Sequence, residues 1–123
     1  MASGHSVGGI AALKMLIAEP KSADALIMLD SYGNPADSFV DATLPILSIY
    51  GTAHHNPERP TIFEDAKQYF PSHVNYVVID GGDHYQFGWY QKEDIQKYNT
   101  ATISAEQQNK MIVDAMQGFL DSL

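Results

Sequence analysis

Apolar residues occur along the chain both as short uninterrupted runs and as longer segments with a helical period. The runs 25–29, 46–50 and 76–79 have the length and apolar character of parallel strands that are covered on both faces. The segments 7–18 and about 60–70 have the spacing of helices. Because strands that alternate with helices form a parallel sheet with right-handed crossovers, the pattern predicts an α/β fold: a parallel sheet of about three strands flanked by helices.

The last predicted helix has the clearest local signals. Ser104 is predicted to be its N-cap, and Gln107, three residues later, completes a capping box. An apolar stripe along this helix contains Ile112, Val113, Ala115, Met116, Phe119 and Leu120. The segments 31–43 and 83–102 have turn residues or aromatic residues without a clear period, so they are predicted to be irregular loops.

Size and charge limit the possible classes of protein. The 123 residues fit one domain, 1–123, and 45% hydrophobic with 18% charged residues is typical of a globular chain. Fifteen acidic against seven basic residues give a net charge of -8, which repels phosphate backbones and anionic membranes, so neither partner is expected. The absence of cysteine excludes disulfides and a cysteine nucleophile. No targeting signal is recognisable, which leaves the compartment open with the cytoplasm as default.

Residues 4–8, with the sequence GHSVG, match the G-x-S-x-G pattern of a nucleophile elbow, a strained turn between a strand and a helix. Both glycines are expected to allow close approach of neighbouring chain segments. The helix that follows makes the N–H of Val7 a candidate oxyanion donor. The alternative is a glycine-rich helix start that Ser6 merely caps. Only residues 1–3 precede the motif, so the strand leading into it is expected to be nearly absent.

His84 is the candidate general base. It follows the third predicted strand and the pair Gly81 and Gly82, which permits a tight turn. Aromatic residues nearby, among them Phe87 and Trp89, would form an apolar environment that keeps the imidazole neutral and able to accept a proton. Phe87 and Trp89 are therefore also candidate substrate-binding residues. The alternative is an ordinary surface histidine.

Four segments, in this order, resemble those of a bacterial branch of the α/β-hydrolases that is similar to carboxylesterases and dienelactone hydrolases. They are GHSVGG at 4–9, PILSIYGT at 45–52, GGDHYQFG at 81–88 and ATISAEQQ at 101–108. The resemblance spans nearly the whole chain and implies that Ser6 is the nucleophile and His84 the base. It also implies a small-molecule ester substrate and no cofactor.

The catalytic acid is left open by the sequence: either it has moved to another position, or the triad is incomplete. The resembling family normally has an aspartate shortly after the strand 46–50, about where this chain has His54. Asp30, at the end of the neighbouring strand, is the preferred candidate, and the alternative is that it only terminates that strand. Glu58 could reach the base if its loop folds back, whereas Asp83 points elsewhere because it adjoins the base.

A metal site is a further alternative, for which the sequence gives little support. His54, His55 and His84 are imidazoles of the kind that bind zinc. Adjacent histidines point to different sides, however, and neither a cysteine nor a well-spaced carboxylate completes a tetrahedral set. No metal site is therefore predicted.

The chain is expected to be the C-terminal portion of a hydrolase domain, because the second oxyanion donor of this fold comes from an N-terminal half that the sequence lacks. A homodimer could cover the exposed apolar sheet edge. Two functions follow as hypotheses. The first is a serine hydrolase of carboxylic esters, and the second is a catalytically weak remnant that serves as a binding or oligomerising module.

Overall fold

The computed structural model describes residues 1–53, 58–91, 93 and 100–123. Within these residues, four parallel strands form one sheet in sequence order, namely β1 (Ala2–His5), β2 (Leu26–Leu29), β3 (Ile46–Gly51) and β4 (Asn75–Ile79). The helices are α1 (Val7–Ala18), α2 (Ile62–Ala66) and α3 (Ala105–Asp121). The predicted α/β class and the three predicted strands are confirmed.

Strand β1 corrects the expectation that the strand leading into Ser6 is nearly absent. It pairs with β2 in parallel, with Ala2 opposite Leu26 and His5 opposite Leu29. Four residues suffice because β2 is already fixed by β3 and offers a complete pairing edge. Tertiary pairing rather than local propensity therefore forms this strand. Among the described residues, β1 has β2 as its only strand partner.

The sheet is covered on both faces. Leu26 and Met28 belong to one core together with Leu13 of α1. Ile27, between them in sequence, belongs to a second core together with Ile112 of α3. Because successive side chains of a strand point to opposite faces, α1 and α3 lie on opposite sides of the sheet.

The helix predictions agree with the structure to different degrees. The capping box is confirmed, since Ser104 Oγ accepts from the Gln107 N–H at 3.1 Å and Gln107 Oε1 accepts from the Ser104 N–H at 3.1 Å. Helix α2 is shorter than predicted, because Thr61 precedes its first residue and a 3-10 turn, Lys67–Tyr69, replaces its last part. None of the described helices is long and apolar enough to cross a bilayer.

The predicted loops contain short 3-10 turns, Pro35–Asp37 and His84–Phe87. The second of these follows β4 at the carboxyl edge of the sheet. Because all four strands are parallel, the residues after β1, β2 and β4 lie along the same edge. Three sequence candidates, Ser6, Asp30 and His84, are therefore brought to one end of the sheet.

Candidate active site

Ser6 has a strained backbone at the junction of β1 and α1, with φ 55° and ψ -124°. Two hydrogen bonds to the end of the neighbouring strand hold it there. The Ser6 N–H donates to the Leu29 carbonyl at 3.1 Å, and the Ser6 carbonyl accepts from Ser31 Oγ at 2.8 Å. The strained turn is thus fixed by β2 and by the residues that follow it.

The glycines around Ser6 have unequal roles. A Cβ on Gly4 would lie 2.2 Å from the carbonyl carbon of Gly8, and a Cβ on Gly9 would lie 2.5 Å from Ser31 Oγ. A Cβ on Gly8 would meet no atom within 4 Å. The prediction that both glycines of the G-x-S-x-G pattern are needed for close approach is therefore wrong for Gly8, and Gly4 and Gly9 have that role.

Asp30 directly follows β2 and is buried, with φ 44°. Its Oδ1 atom accepts from the Gly51 N–H at 3.1 Å, and its Oδ2 atom lies 2.5 Å from Nδ1 of His84. Because a carboxylate can only accept, the shared proton is placed on Nδ1, which leaves Nε2 of His84 as an acceptor. The arrangement orients the imidazole and selects its tautomer.

The loop that carries His84 turns sharply after β4. Gly81 has a φ of 77°, in the left-handed region that glycine adopts without strain. The Gly82 carbonyl packs against β3 so closely that a Cβ on Gly51 would lie 2.1 Å from its oxygen. The tight turn predicted from the glycine pair is therefore present, and it places His84 beside Asp30 at the end of β2.

Asp83 supports this loop from inside the protein. It is fully buried, and its Oδ2 atom accepts from the Tyr85 N–H at 3.1 Å. Gln108 of α3 accepts from its backbone N–H at 2.9 Å and donates to its carbonyl at 2.8 Å. Thr100 Oγ1 donates to its Oδ1 atom at 2.9 Å. The Asp83 carboxylate is thus used to hold the loop, in agreement with the expectation that it points away from His84.

A single cavity of about 280 Å³ is lined by Ser6, Val7, Asp30 and His84 together. Within the described ranges, neither the Ser6 hydroxyl nor the Val7 N–H has a hydrogen-bond partner, so a Ser6–His84 hydrogen bond is not formed in this structure. Hydrogen bonds of catalytic groups are often loose without substrate and tighten when it binds. The cavity therefore contains a free hydroxyl, an oriented imidazole and a free N–H at a helix start.

The other sequence candidates lie away from this cavity. Glu58 is exposed and is not among the described residues that line it. Trp89 is fully exposed, and with Phe87 it lines a separate hollow of about 120 Å³. Their role in substrate binding remains a prediction. His54 and His55 lie outside the described residues, and no group of three metal-binding side chains occurs among those that are described.

His5 is a neighbour of the site that the sequence analysis missed. Its ring centroid lies 4.5 Å from that of His84, and its Nδ1 atom lies 2.6 Å from the hydroxyl of Tyr90. Its Nε2 atom is buried without a hydrogen-bond partner in the described part of the chain. Burial and the His84 imidazole lower the pKa of His5, and the Asp30 carboxylate opposes this shift. Its position inside the G-x-S motif was the available signal.

The walls of the cavity were also missed. They include Tyr32, shortly after Asp30, and Ile62 and Phe63 at the start of α2. Tyr32 could have been found from its place at the carboxyl end of a parallel strand, where ligands bind in such sheets. Ile62 and Phe63 carry no comparable signal, because apolar residues of a short helix are expected in any core.

Comparison with known proteins gives two matches. A model of the alpha/beta hydrolase family matches residues 1–110. No curated protein sequence matches the chain. A crystal structure of a predicted CIB-like hydrolase from Thermoplasma acidophilum is similar with a TM-score of 0.61 and 16% identity, over 94% of this chain and 49% of that chain. The chain therefore spans about half the length of that protein, and at this identity the likeness concerns the fold alone.

Proposed function

The chain belongs to the alpha/beta hydrolase family, and from this premise we propose that it is a serine hydrolase of carboxylic esters or related acyl bonds. One observation carries the proposal. The buried Asp30 orients His84 at 2.5 Å, and both residues line a cavity that also contains the strained Ser6, whose hydroxyl has no hydrogen-bond partner among the described residues. Membership of this family is also compatible with other hydrolytic reactions, so the ester bond as the substrate is proposed in addition to the family.

The proposed reaction proceeds through an acyl-enzyme. The Ser6 hydroxyl attacks the ester carbonyl while Nε2 of His84 takes its proton, and Asp30 stabilises the imidazolium that forms. The tetrahedral intermediate then collapses, its carbon–oxygen bond to the leaving group breaks, and His84 gives the proton to the departing alcohol. Water, deprotonated by His84, hydrolyses the acyl-enzyme and regenerates the Ser6 hydroxyl.

Val7 is the proposed oxyanion donor. Its N–H follows Ser6 at the first residue of α1, where the helix dipole also favours negative charge. Removal of one such donor from a serine hydrolase typically lowers kcat by about 10²–10³-fold.

Asp30 is proposed as the acid in preference to the other carboxylates. It is the carboxylate in hydrogen-bonding contact with His84, whereas Asp83 is bonded to Tyr85 and Thr100. Its burial strengthens the interaction with an imidazolium, because little solvent screens the pair.

A fluorophosphonate probe tests the proposal, because it phosphonylates only serines that an adjacent base activates. Intact-mass and peptide analysis should find one adduct, on the peptide that contains Ser6. Ser6→Ala should abolish labelling, and Ser22→Ala, a change at an exposed serine, should not. A folded protein that the probe leaves unmodified would refute the proposal.

A second candidate is an oligomerising module without effective catalysis. The exposed edge of β1 favours it, since among the described strands this one has a partner on one side only. A homodimer could form by pairing of two such edges. Light scattering over a range of concentrations would then give a rising mass, and the probe would leave Ser6 unmodified.

A further inference from the structure

The cavity at Ser6 has apolar walls. Apart from Ser6, Asp30, His84 and the Ser31 hydroxyl, which is bonded to the Ser6 carbonyl, the described lining side chains are those of Val7, Ile10, Tyr32, Ile62, Phe63 and Tyr85. Three of these are aliphatic and three are aromatic. A surface of this kind favours an apolar group and offers few hydrogen bonds to a polar one.

One wall is held rigidly in place. The ring of Phe63 stacks on that of Tyr50 with centroids 4.5 Å apart, and the ring of Tyr32 lies nearly perpendicular to that of Phe63 with centroids 5.4 Å apart. The Tyr50 hydroxyl donates to the Glu64 carboxylate, which also accepts from Lys67 Nζ at 2.7 Å. These contacts tie α2 to β3, so the wall cannot move aside without breaking them.

The cavity also lacks a described partner for an anion. Among the described lining residues, Asp30 is the only one with a carboxyl side chain, and that side chain is bonded to His84. Neither lysine nor arginine lines the described part of the cavity, and the whole chain has a net charge of -8. A carboxylate entering the described part of this space would lose water without gaining a lysine or arginine partner there, which is unfavourable.

The volume of the cavity limits the size of the substrate. At about 280 Å³, the cavity is slightly smaller than the roughly 300–1,000 Å³ typical of sites for drug-sized ligands. We therefore infer that it accepts small uncharged esters with an apolar acyl group and discriminates against esters whose acyl group carries a carboxylate. This inference rests on the proposed serine hydrolase.

Two esters with the same leaving group test the charge discrimination. The probes are p-nitrophenyl butyrate and mono-p-nitrophenyl succinate, whose acyl chains are similar in length but differ by a terminal carboxylate. After subtraction of spontaneous hydrolysis, in which the carboxylate of the succinate attacks its own ester and expels p-nitrophenolate, kcat/KM for the butyrate should be at least ~10-fold higher, since even ~1.4 kcal/mol of unpaired burial produces this ratio. The ratio should persist in salt of about 1 M, which screens long-range repulsion to about 3 Å.

The size limit is tested at Ile10. This residue lines the cavity but belongs to none of the buried cores in the described part of the chain, so Ile10→Ala enlarges the cavity with little effect on folding. Across p-nitrophenyl esters from acetate to octanoate, the variant should shift the optimum of kcat/KM to a longer acyl chain. Val113→Ala, at an exposed position of α3, is the matched control and should leave the optimum unchanged.

The results of these experiments distinguish a failure of the substrate preference from a failure of the proposed serine hydrolase. Equal or better turnover of the succinate ester, or an unchanged optimum in Ile10→Ala, overturns the inference while hydrolysis itself stands. If neither ester is turned over and the fluorophosphonate leaves Ser6 unmodified, both fail. If Ser6 is labelled but neither ester is turned over, the ester substrate class is overturned and the activated serine stands.

Discussion

The Nδ1 atom of His84 lies 2.5 Å from the Oδ2 atom of Asp30, although 54 positions separate the two residues in the chain. The Asp30 side chain is 1% exposed and that of His84 is 24% exposed. A carboxylate so deeply buried is stable mainly through its hydrogen bonds, here to His84 and to the Gly51 N–H. The contact therefore matters both for folding and for the proposed chemistry.

Asp30→Asn should lower kcat by about 10³–10⁴-fold, because an amide does not stabilise the imidazolium and favours the wrong tautomer of His84. KM should change little, since the substitution leaves the volume of the cavity unchanged. Steady-state kinetics with p-nitrophenyl butyrate measure both constants, and circular dichroism checks the fold. Glu58→Gln should retain activity. A large loss in Glu58→Gln with none in Asp30→Asn would assign the acid to Glu58 instead.

Lowering the pH should destabilise the protein in part through His5. Since its pKa is lowered from 6.5 in the folded state, the unfolded chain takes up a proton first as the pH falls below about 6.5. The contribution of His5 to stability is therefore fully present above that pH and decreases toward the lower folded pKa. Thermal melts between pH 7.5 and 5 should show a smaller loss of Tm in His5→Phe than in the wild type.

The matched control for His5 is His73→Gln, a change at an exposed histidine that contacts the Leu44 carbonyl. This variant should keep the pH dependence of the wild type. An identical loss of Tm in wild type and His5→Phe would show that His5 does not resist protonation in the folded protein.

Gly4→Ala and Gly8→Ala should differ in stability although both alter the G-x-S-x-G pattern. The new methyl group on residue 4 would lie 2.2 Å from the carbonyl carbon of Gly8, so the turn must shift. This shift should lower the free energy of unfolding by about 1–3 kcal/mol. Residue 8 lies in α1 and has open space, and alanine there should stabilise the helix by up to about 1 kcal/mol. Urea denaturation of both variants measures the difference, and equal losses would contradict it.

Gln108→Leu should weaken both folding and hydrolysis. The side chain is fully buried and makes two hydrogen bonds to the backbone of Asp83, so leucine would leave a buried N–H and a buried carbonyl without these partners. Each unsatisfied group costs about 1–3 kcal/mol. Because this backbone positions His84, kcat should also fall. The control is Gln117→Ala, on the exposed side of α3, and a comparable effect in both variants would contradict the argument.

The elements that sequence predicted best are those with local signals. The runs 46–50 and 76–79 and the capping box at Ser104 require only neighbouring residues, and the structure contains all of them. Strand β1 is not predicted because only residues 1–3 precede the G-x-S-x-G motif, and its formation depends on pairing with a strand more than twenty positions away.

The residues of the candidate site could be predicted from the sequence only where they lie in or next to a local motif. The elbow and the glycine pair before His84 identify two residues from local sequence. The choice between Asp30 and Glu58 depends on which carboxylate reaches the imidazole, and this is decided by the order of strands in the sheet. The apolar walls depend on how α2 packs against Tyr50, which no local pattern specifies.

Strand β1 has a partner on one side only among the described residues, yet it leads directly into Ser6. Its amides at Ala2 and Ser6 donate to the backbone of residues 25 and 29, and these should exchange slowly with deuterium. A molecule that added a strand along the open side of β1 would slow the exchange of the remaining amides. It would thereby make the turn at Ser6 more rigid, because it would hold β1 on the side where the described chain provides no partner strand.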